Sequence, residues 1–173
     1  DDSSTIAIIN TGASVTNVNI VSRGVTAFTR DITIGGNLIT EEIQKSLGIS
    51  YEEAEALKIG GRVGQDVDAI IPHEVERIIG QVAGQLAGEI QRSLDFYANP
   101  TNTRFDKIYL SGGTAKIPSL QRMISDRSGA PVEVFNPFTG VEVDRKRFDL
   151  DYLDEVAPLA TVAVGLALRR ENA

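Results

Sequence analysis

A chain of 173 residues with 42% hydrophobic and 24% charged residues has the composition of a folded globular protein, enough for one domain or one lobe of a larger one. Its formal net charge of -7, with basic runs only at Arg145-Lys146-Arg147 and Arg169-Arg170, argues against nucleic acid as the partner. The absence of cysteine excludes disulfides, thiolate metal sites and cysteine nucleophiles, and a single histidine, His73, leaves a His-rich zinc site or a His-based triad without support.

The first predicted element is "TIAIIN" (Thr5–Asn10), a continuous apolar run with β-branched residues, as expected of a central strand. "VTNVNIVS" (Val15–Ser22) and "VTAFTRDITI" (Val25–Ile34) alternate apolar with polar and are separated by the turn signal Arg23-Gly24. Together the three runs predict an antiparallel meander. "GGNLITEEIQKSLG" opens with glycines and an asparagine, taken as the helix cap, and closes on Gly48, with Leu38, Ile39, Ile43 and Leu47 on one face. "SYEEAEALKIG" predicts a shorter helix with Ser50 and Glu53 as a capping box.

The longest helix is predicted from Pro72 to about Asn99, with Val75, Ile79, Val82, Leu86, Ile90 and Leu94 on one stripe. Gly80, Gly84 and Gly88 recur on a neighbouring stripe, which reads as close approach to another element, because glycine costs roughly 1 kcal/mol at each helix-interior position. A membrane dimer motif is implausible there, since Glu76, Arg77, Glu89 and Arg92 lie on the same helix. Next come the strand "KIYLSG", a helix over roughly Pro118–Arg127, the short strand "VEVF" and a charged segment, Asp144–Asp154. The closing run "VAPLATVAVGLAL" (Val156–Leu168) is too short to span a bilayer and reads as a buried helix. No signal peptide is visible. The chain lacks an initiator methionine and reads as part of a longer protein. The order of elements is that of a mixed α/β lobe.

Two strand-to-turn junctions have the same chemistry: "IINTGAS" (Ile8–Ser14) and "YLSGGTA" (Tyr109–Ala115). In each, a buried strand stops at small and hydroxyl residues whose backbone N–H groups could face an anion, and glycine permits close approach. Neither matches the Walker or GxGxxG patterns, and each alone reads as a purely structural turn. Two such junctions at strand ends of one sheet point to a shared ligand cleft. Carboxylates placed for hydrolysis are scarce, with Asn10 at the end of the first strand and Asp31 on the third strand read as structural. The cluster Glu52-Glu53-Glu55 reads as an exposed helix face, and a role for Glu55 and Lys58 at a ribose stays open.

The run from "IINTGAS" through "FTRDITIGGNLITEEIQKSLGISYEEAEALK", followed by "YLSGGTAKIPSL", resembles the second half of the actin-like ATPase superfamily. The resemblance covers nearly the whole chain. Its wording is most similar to the PilM family, the actin-like component of the type IV pilus inner-membrane platform. The sister reading is the FtsA family of division proteins, which shares "GGN-x-IT" and "AE-x-LK".

The resemblance implies an α/β fold of the actin-like (ribonuclease H-like) type, a mixed sheet with a three-strand antiparallel meander flanked by helices. It implies a core subdomain over about 1–48 and 72–173, with a small inserted subdomain over about 49–71. It also implies ATP and magnesium as ligands of the intact protein. Thr11, Gly12, Ala13 and Ser14 would wrap the phosphates, with Asn10 before them among the nucleotide-binding residues, and Gly112, Gly113 and Thr114 would approach the adenosine. Lys116 would lie where related chaperones set a basic side chain against the base. Glu55 and Lys58 would line the ribose and adenine pocket, and Gly35 and Gly36 would open the helix nearby.

The departure is Asn10, where the family often has an aspartate that holds magnesium through water; a neutral amide loses that charge attraction. The implied partner is the cytoplasmic tail of a PilN-like membrane protein, alongside other platform or motor proteins. The implied location is cytoplasmic, peripheral to the inner membrane. Weak ATPase activity at most is implied for the intact protein, and none for one lobe alone. A superfamily kinase would need a phosphate-1 loop and a catalytic carboxylate outside this chain, and an FtsA-like filament protein would need a membrane helix after Ala173.

Overall fold

The computed structural model describes residues 4–60, 73–144 and 146–169. The three apolar and alternating runs form β1 (Thr5–Thr11), β2 (Thr16–Ser22) and β3 (Val25–Ile32), joined in an antiparallel meander. Arg23 and Gly24 make its two-residue turn, both with positive φ, which suits the twist of a tight hairpin. Helices α1 (Gly36–Leu47), α2 (Tyr51–Lys58) and α3 (His73–Thr101) follow, then β4 (Lys107–Ser111), α4 (Pro118–Ser128), β5 (Val132–Val134) and α5 (Leu150–Ala167).

The sheet order is β3-β2-β1-β4-β5, so β1 is central as its unbroken apolar run predicts. β1 pairs antiparallel with β2 and parallel with β4, and β4 pairs parallel with β5. Because side chains alternate along a strand, every second residue of β1 is buried and faces one side. There Ala7, Ile9, Val18, Ile20, Ile108 and Leu110 form one core with Leu86, Ile90 and Leu94 of α3 and Leu120 and Ile124 of α4. A second, smaller core joins Ile39 and Ile43 of α1, Ala54 and Leu57 of α2, and Val75, Ile78 and Val82 of α3. The described part of segment 49–71 therefore packs on α1 and α3, while 61–71 and the predicted helix start at Pro72 lie outside the described residues.

Several boundaries depart from the sequence reading for physical reasons. The cap of α1 is Gly35, with no side-chain hydrogen bond; Asn37 already lies inside the first turn. The α2 capping box of Ser50 and Glu53 is present as predicted. On α3 the buried stripe takes Ile78 rather than Ile79, which is only partly buried. Gly84 and Gly88 face α4, where an added Cβ would meet Met123 Sδ at 3.8 Å and Arg127 Nη1 at 3.9 Å, while Gly80 faces open space. Those contacts are of ordinary length, so the stripe faces a neighbour without being forced to glycine.

α5 is not the buried helix that its apolar run predicts. Only Ala157 and Pro158 are buried in it, and Leu159, Val162 and Leu166 are 58%, 56% and 64% exposed. The helix touches the sheet near its middle, at β4 and the turn after it, and its apolar outer side has no cover among the described residues. No helix among the described residues is long and apolar enough to cross a membrane.

Candidate functional site

Parallel pairing of β1 with β4 sets Asn10 opposite Ser111, so both glycine-bearing junctions leave the sheet at the same end. Ser111 Oγ lies 3.4 Å from Asn10 Oδ1. The first junction closes on itself through Gly12 N–H to the Val15 carbonyl at 3.0 Å. Ala13 and Ser14 at its tip are exposed. Thr11 is fully buried, and its hydroxyl has no hydrogen-bond partner among the described residues.

The turn rests on the start of α1. Gly36 N–H donates to the Gly12 carbonyl at 3.0 Å and Asn37 N–H to the Ala13 carbonyl at 2.8 Å. Asn37 Nδ2 donates to Ser14 Oγ at 3.3 Å. Gly35 is required by this approach, because a Cβ there would lie 2.4 Å from the Ala13 carbonyl oxygen. Two of the N–H groups that a helix leaves unpaired are thus taken by the turn's own carbonyls.

At the second junction Gly112 has φ 85°, and a Cβ on it would lie 2.3 Å from the Thr11 carbonyl oxygen. Gly112 N–H donates to the Pro158 carbonyl of α5 at 2.8 Å, anchoring the turn from behind. A short 3-10 turn, Gly113–Lys116, follows. Thr114 is buried and donates its hydroxyl to the Gly12 carbonyl at 3.0 Å, so it joins the two junctions and does not face solvent. Gly113 and Lys116 are exposed.

Glu55 and Lys58 stand beside the same point through α1. Lys58 Nζ donates to Glu55 Oε2 at 2.6 Å, to Thr40 Oγ1 at 3.0 Å and to the Gly36 carbonyl at 3.3 Å. Burial pushes the Glu55 carboxyl upward, but hydrogen bonds from Lys58 and Thr40 and the charge of Lys58 outweigh it and hold the group below the usual carboxylate range. A Cβ on Gly36 would meet Thr114 Oγ1 at 2.6 Å and Lys58 Nζ at 3.4 Å, which shows how tightly the two turns, α1 and α2 converge. Thr40, at the centre of these contacts, was missed in the sequence. Its signals were its place as the threonine of "GGN-x-IT" and its being a polar residue on the apolar side of α1.

Asp31 accepts from Asn17 Nδ2 at 2.7 Å on the neighbouring strand, in keeping with a structural role. Among the described residues no group of three His, Asp or Glu side chains is placed to hold a metal ion. A surface cavity of about 550 Å³ between α1 and α3, lined by Leu38, Glu42, Lys45, Arg77, Ile78 and Val82 among others, lies apart from the converging turns.

A five-stranded mixed sheet whose β1 and β4 turns meet over the start of a helix is the lobe of an actin-like protein. An MreB of Spiroplasma citri, solved bound to AMPPNP, superposes with TM-score 0.64 at 16% identity, covering 95% of this chain and 52% of that one. The sequence matches the family described as type IV pilus assembly protein PilM over residues 1–171, and the chain belongs to that family. A PilM–PilN type IV pilus biogenesis complex superposes with TM-score 0.83 at 28% identity, covering 97% of this chain and 46% of that one. The cell division protein FtsA of Neisseria meningitidis serogroup B (strain ATCC BAA-335 / MC58) is 24% identical over an alignment of 157 positions, and the match covers 75% of this chain and 37% of that protein. The chain thus spans about half the length of the solved relatives and less of FtsA.

Proposed function

We propose that this chain supplies one wall of an ATP cleft in an actin-like scaffold of the type IV pilus assembly platform. The observation that carries the reading is the convergence of the two turns, with Gly112 packed on Thr11 and Thr114 bonded to Gly12, beside the Glu55–Lys58 pair. The groups present fit a nucleotide: the exposed Ala13–Ser14 tip for phosphate, the Gly113 backbone for the nucleoside and the Glu55 carboxylate as acceptor for a hydroxyl. They fit magnesium poorly. Asn10 offers a neutral carbonyl oxygen already facing Ser111, so a cation would depend on the phosphates and water.

Relatives of roughly twice this length supply room for an opposite wall. The partner is a PilN-like membrane protein, supported by the PilM–PilN complex among the solved relatives. The protein then acts as a nucleotide-responsive adapter at the cytoplasmic side of the inner membrane.

The test is calorimetric titration of ATP with magnesium into the full-length polypeptide and its Ser14→Glu variant. Ser14 is exposed, so the added charge leaves the fold intact and repels phosphate at the turn. Binding to the parent that weakens tenfold or more in the variant is expected. No binding to the parent, or equal binding to both, overturns the nucleotide reading.

A further inference from the structure

We infer that Thr40 is the positioning residue of this site: its buried hydroxyl, with Lys58 as a strut, aims Glu55 at the ligand and ties it to the phosphate turn. The inference rests on the nucleotide reading only for what the ligand is; the network itself stands on the geometry.

Thr40 is fully buried, and its Oγ1 lies 2.5 Å from Glu55 Oε2, 3.3 Å from the Gly36 carbonyl and 3.0 Å from Lys58 Nζ. A threonine hydroxyl has one proton to donate and lone pairs to accept with. The shorter contact assigns the proton to Glu55, and the lone pairs receive the ammonium of Lys58. The three N–H donors of Lys58 match three acceptors in the protein, Glu55, Thr40 and the Gly36 carbonyl. Its side chain is 11% exposed, against 38% for Glu55.

Lys58 therefore has no donor left for a ligand. Glu55 Oε2 takes two donors, while Oε1 makes no hydrogen bond among the described residues. The one group offered outward is an acceptor-only carboxylate oxygen, which recognises a hydroxyl donor. That selects a ribose over a sugar lacking its hydroxyls, and it places Lys58 behind Glu55, out of contact with ligand. Gly36 N–H meanwhile donates to the Gly12 carbonyl, so the sugar side and the phosphate turn move as one unit.

The experiment has a ligand-free arm and a binding arm. In the full-length polypeptide, carbon NMR follows the Glu55 carboxyl titration in the parent, Thr40→Val and Thr40→Ser. The parent and Thr40→Ser should titrate below the usual range and Thr40→Val closer to it; identical curves in all three overturn the positioning role even if no nucleotide binds. In the binding arm, the preference for ATP over 2′,3′-dideoxy-ATP is measured. A hydrogen bond to a charged group predicts a preference on the order of tenfold or more, collapsing in Thr40→Val and kept in Thr40→Ser.

Lys58→Gln covers the case in which Thr40→Val fails to fold. A strut predicts that the sugar preference falls while the ATP-to-GTP ratio stays the same. A change in the base ratio with the sugar preference intact would make Lys58 a ligand contact and overturn the inference. Failure of the parent to bind ATP at all would sink the nucleotide reading and leave the NMR result to decide the network.

Discussion

Gly112 follows directly on β4 and Gly80 lies within α3, yet their substitutions should move stability in opposite directions. Gly112 sits at φ 85° with the Thr11 carbonyl 2.3 Å and Asn10 Oδ1 2.7 Å from where a Cβ would go. Gly112→Ala should therefore cost about 3 kcal/mol, the upper range for a strained backbone position, because backbone and not a flexible side chain must yield. Gly80 lies within α3 with nothing inside 4 Å of its missing Cβ. Gly80→Ala should stabilise by roughly 1 kcal/mol, since only the helix penalty of glycine is removed. Urea unfolding of both variants checks the pair of signs, and a destabilised Gly80→Ala would show that the position serves packing after all. The sequence marked both residues as unusual but could not separate them, because the distinction depends on what crosses each backbone from another element.

At the scale of the element, local chemistry was the most legible part. The capping box of α2, the Gly48 end of α1 and the Arg23-Gly24 turn each depend on neighbours within a few residues, and each is found where the sequence placed it. What joins elements was harder to read: Thr40 reaches Glu55 across 15 positions, and no spacing rule announces that contact.

The link from α1 to α3 is of the same kind, and it carries a pH dependence. Hydrogen bonds from Arg77 and then Ser46 lower the Glu74 carboxyl from 4.5 to about 2. A carboxyl depressed in the fold stabilises the native state above its unfolded value, because the unfolded chain binds the proton first. That contribution is fully present above about pH 4.5 and is lost as pH falls toward 2. Glu74→Gln should accordingly flatten the fall in melting temperature between those limits while leaving the neutral-pH slope unchanged. An unaltered acid profile would show that the pair contributes nothing in solution, as is common for exposed ion pairs.

For the whole molecule, hydrophobicity told the sequence reading which surfaces need cover but not where the cover comes from. The core stripes of β1 and α3 are covered within the chain, so apolar periodicity located them well. The apolar run of α5 gave the same signal and the opposite result, because its helix meets the sheet only near Ala157 and Pro158. Two substitutions on its outer side distinguish the alternatives. Val162 and Leu166 lie one helical turn apart and are both more than half exposed. Replacing both with lysine should change unfolding free energy by less than about 0.5 kcal/mol each, the usual scale for surface positions. In a buried helix the same two lysines would cost several kcal/mol, because each charge would lose its hydration. A continuous exposed apolar face also drives association in water. Sedimentation velocity on the 173-residue chain should therefore show concentration-dependent self-association that the double variant abolishes. A large loss of stability in that variant would return α5 to the interior, where its composition first placed it.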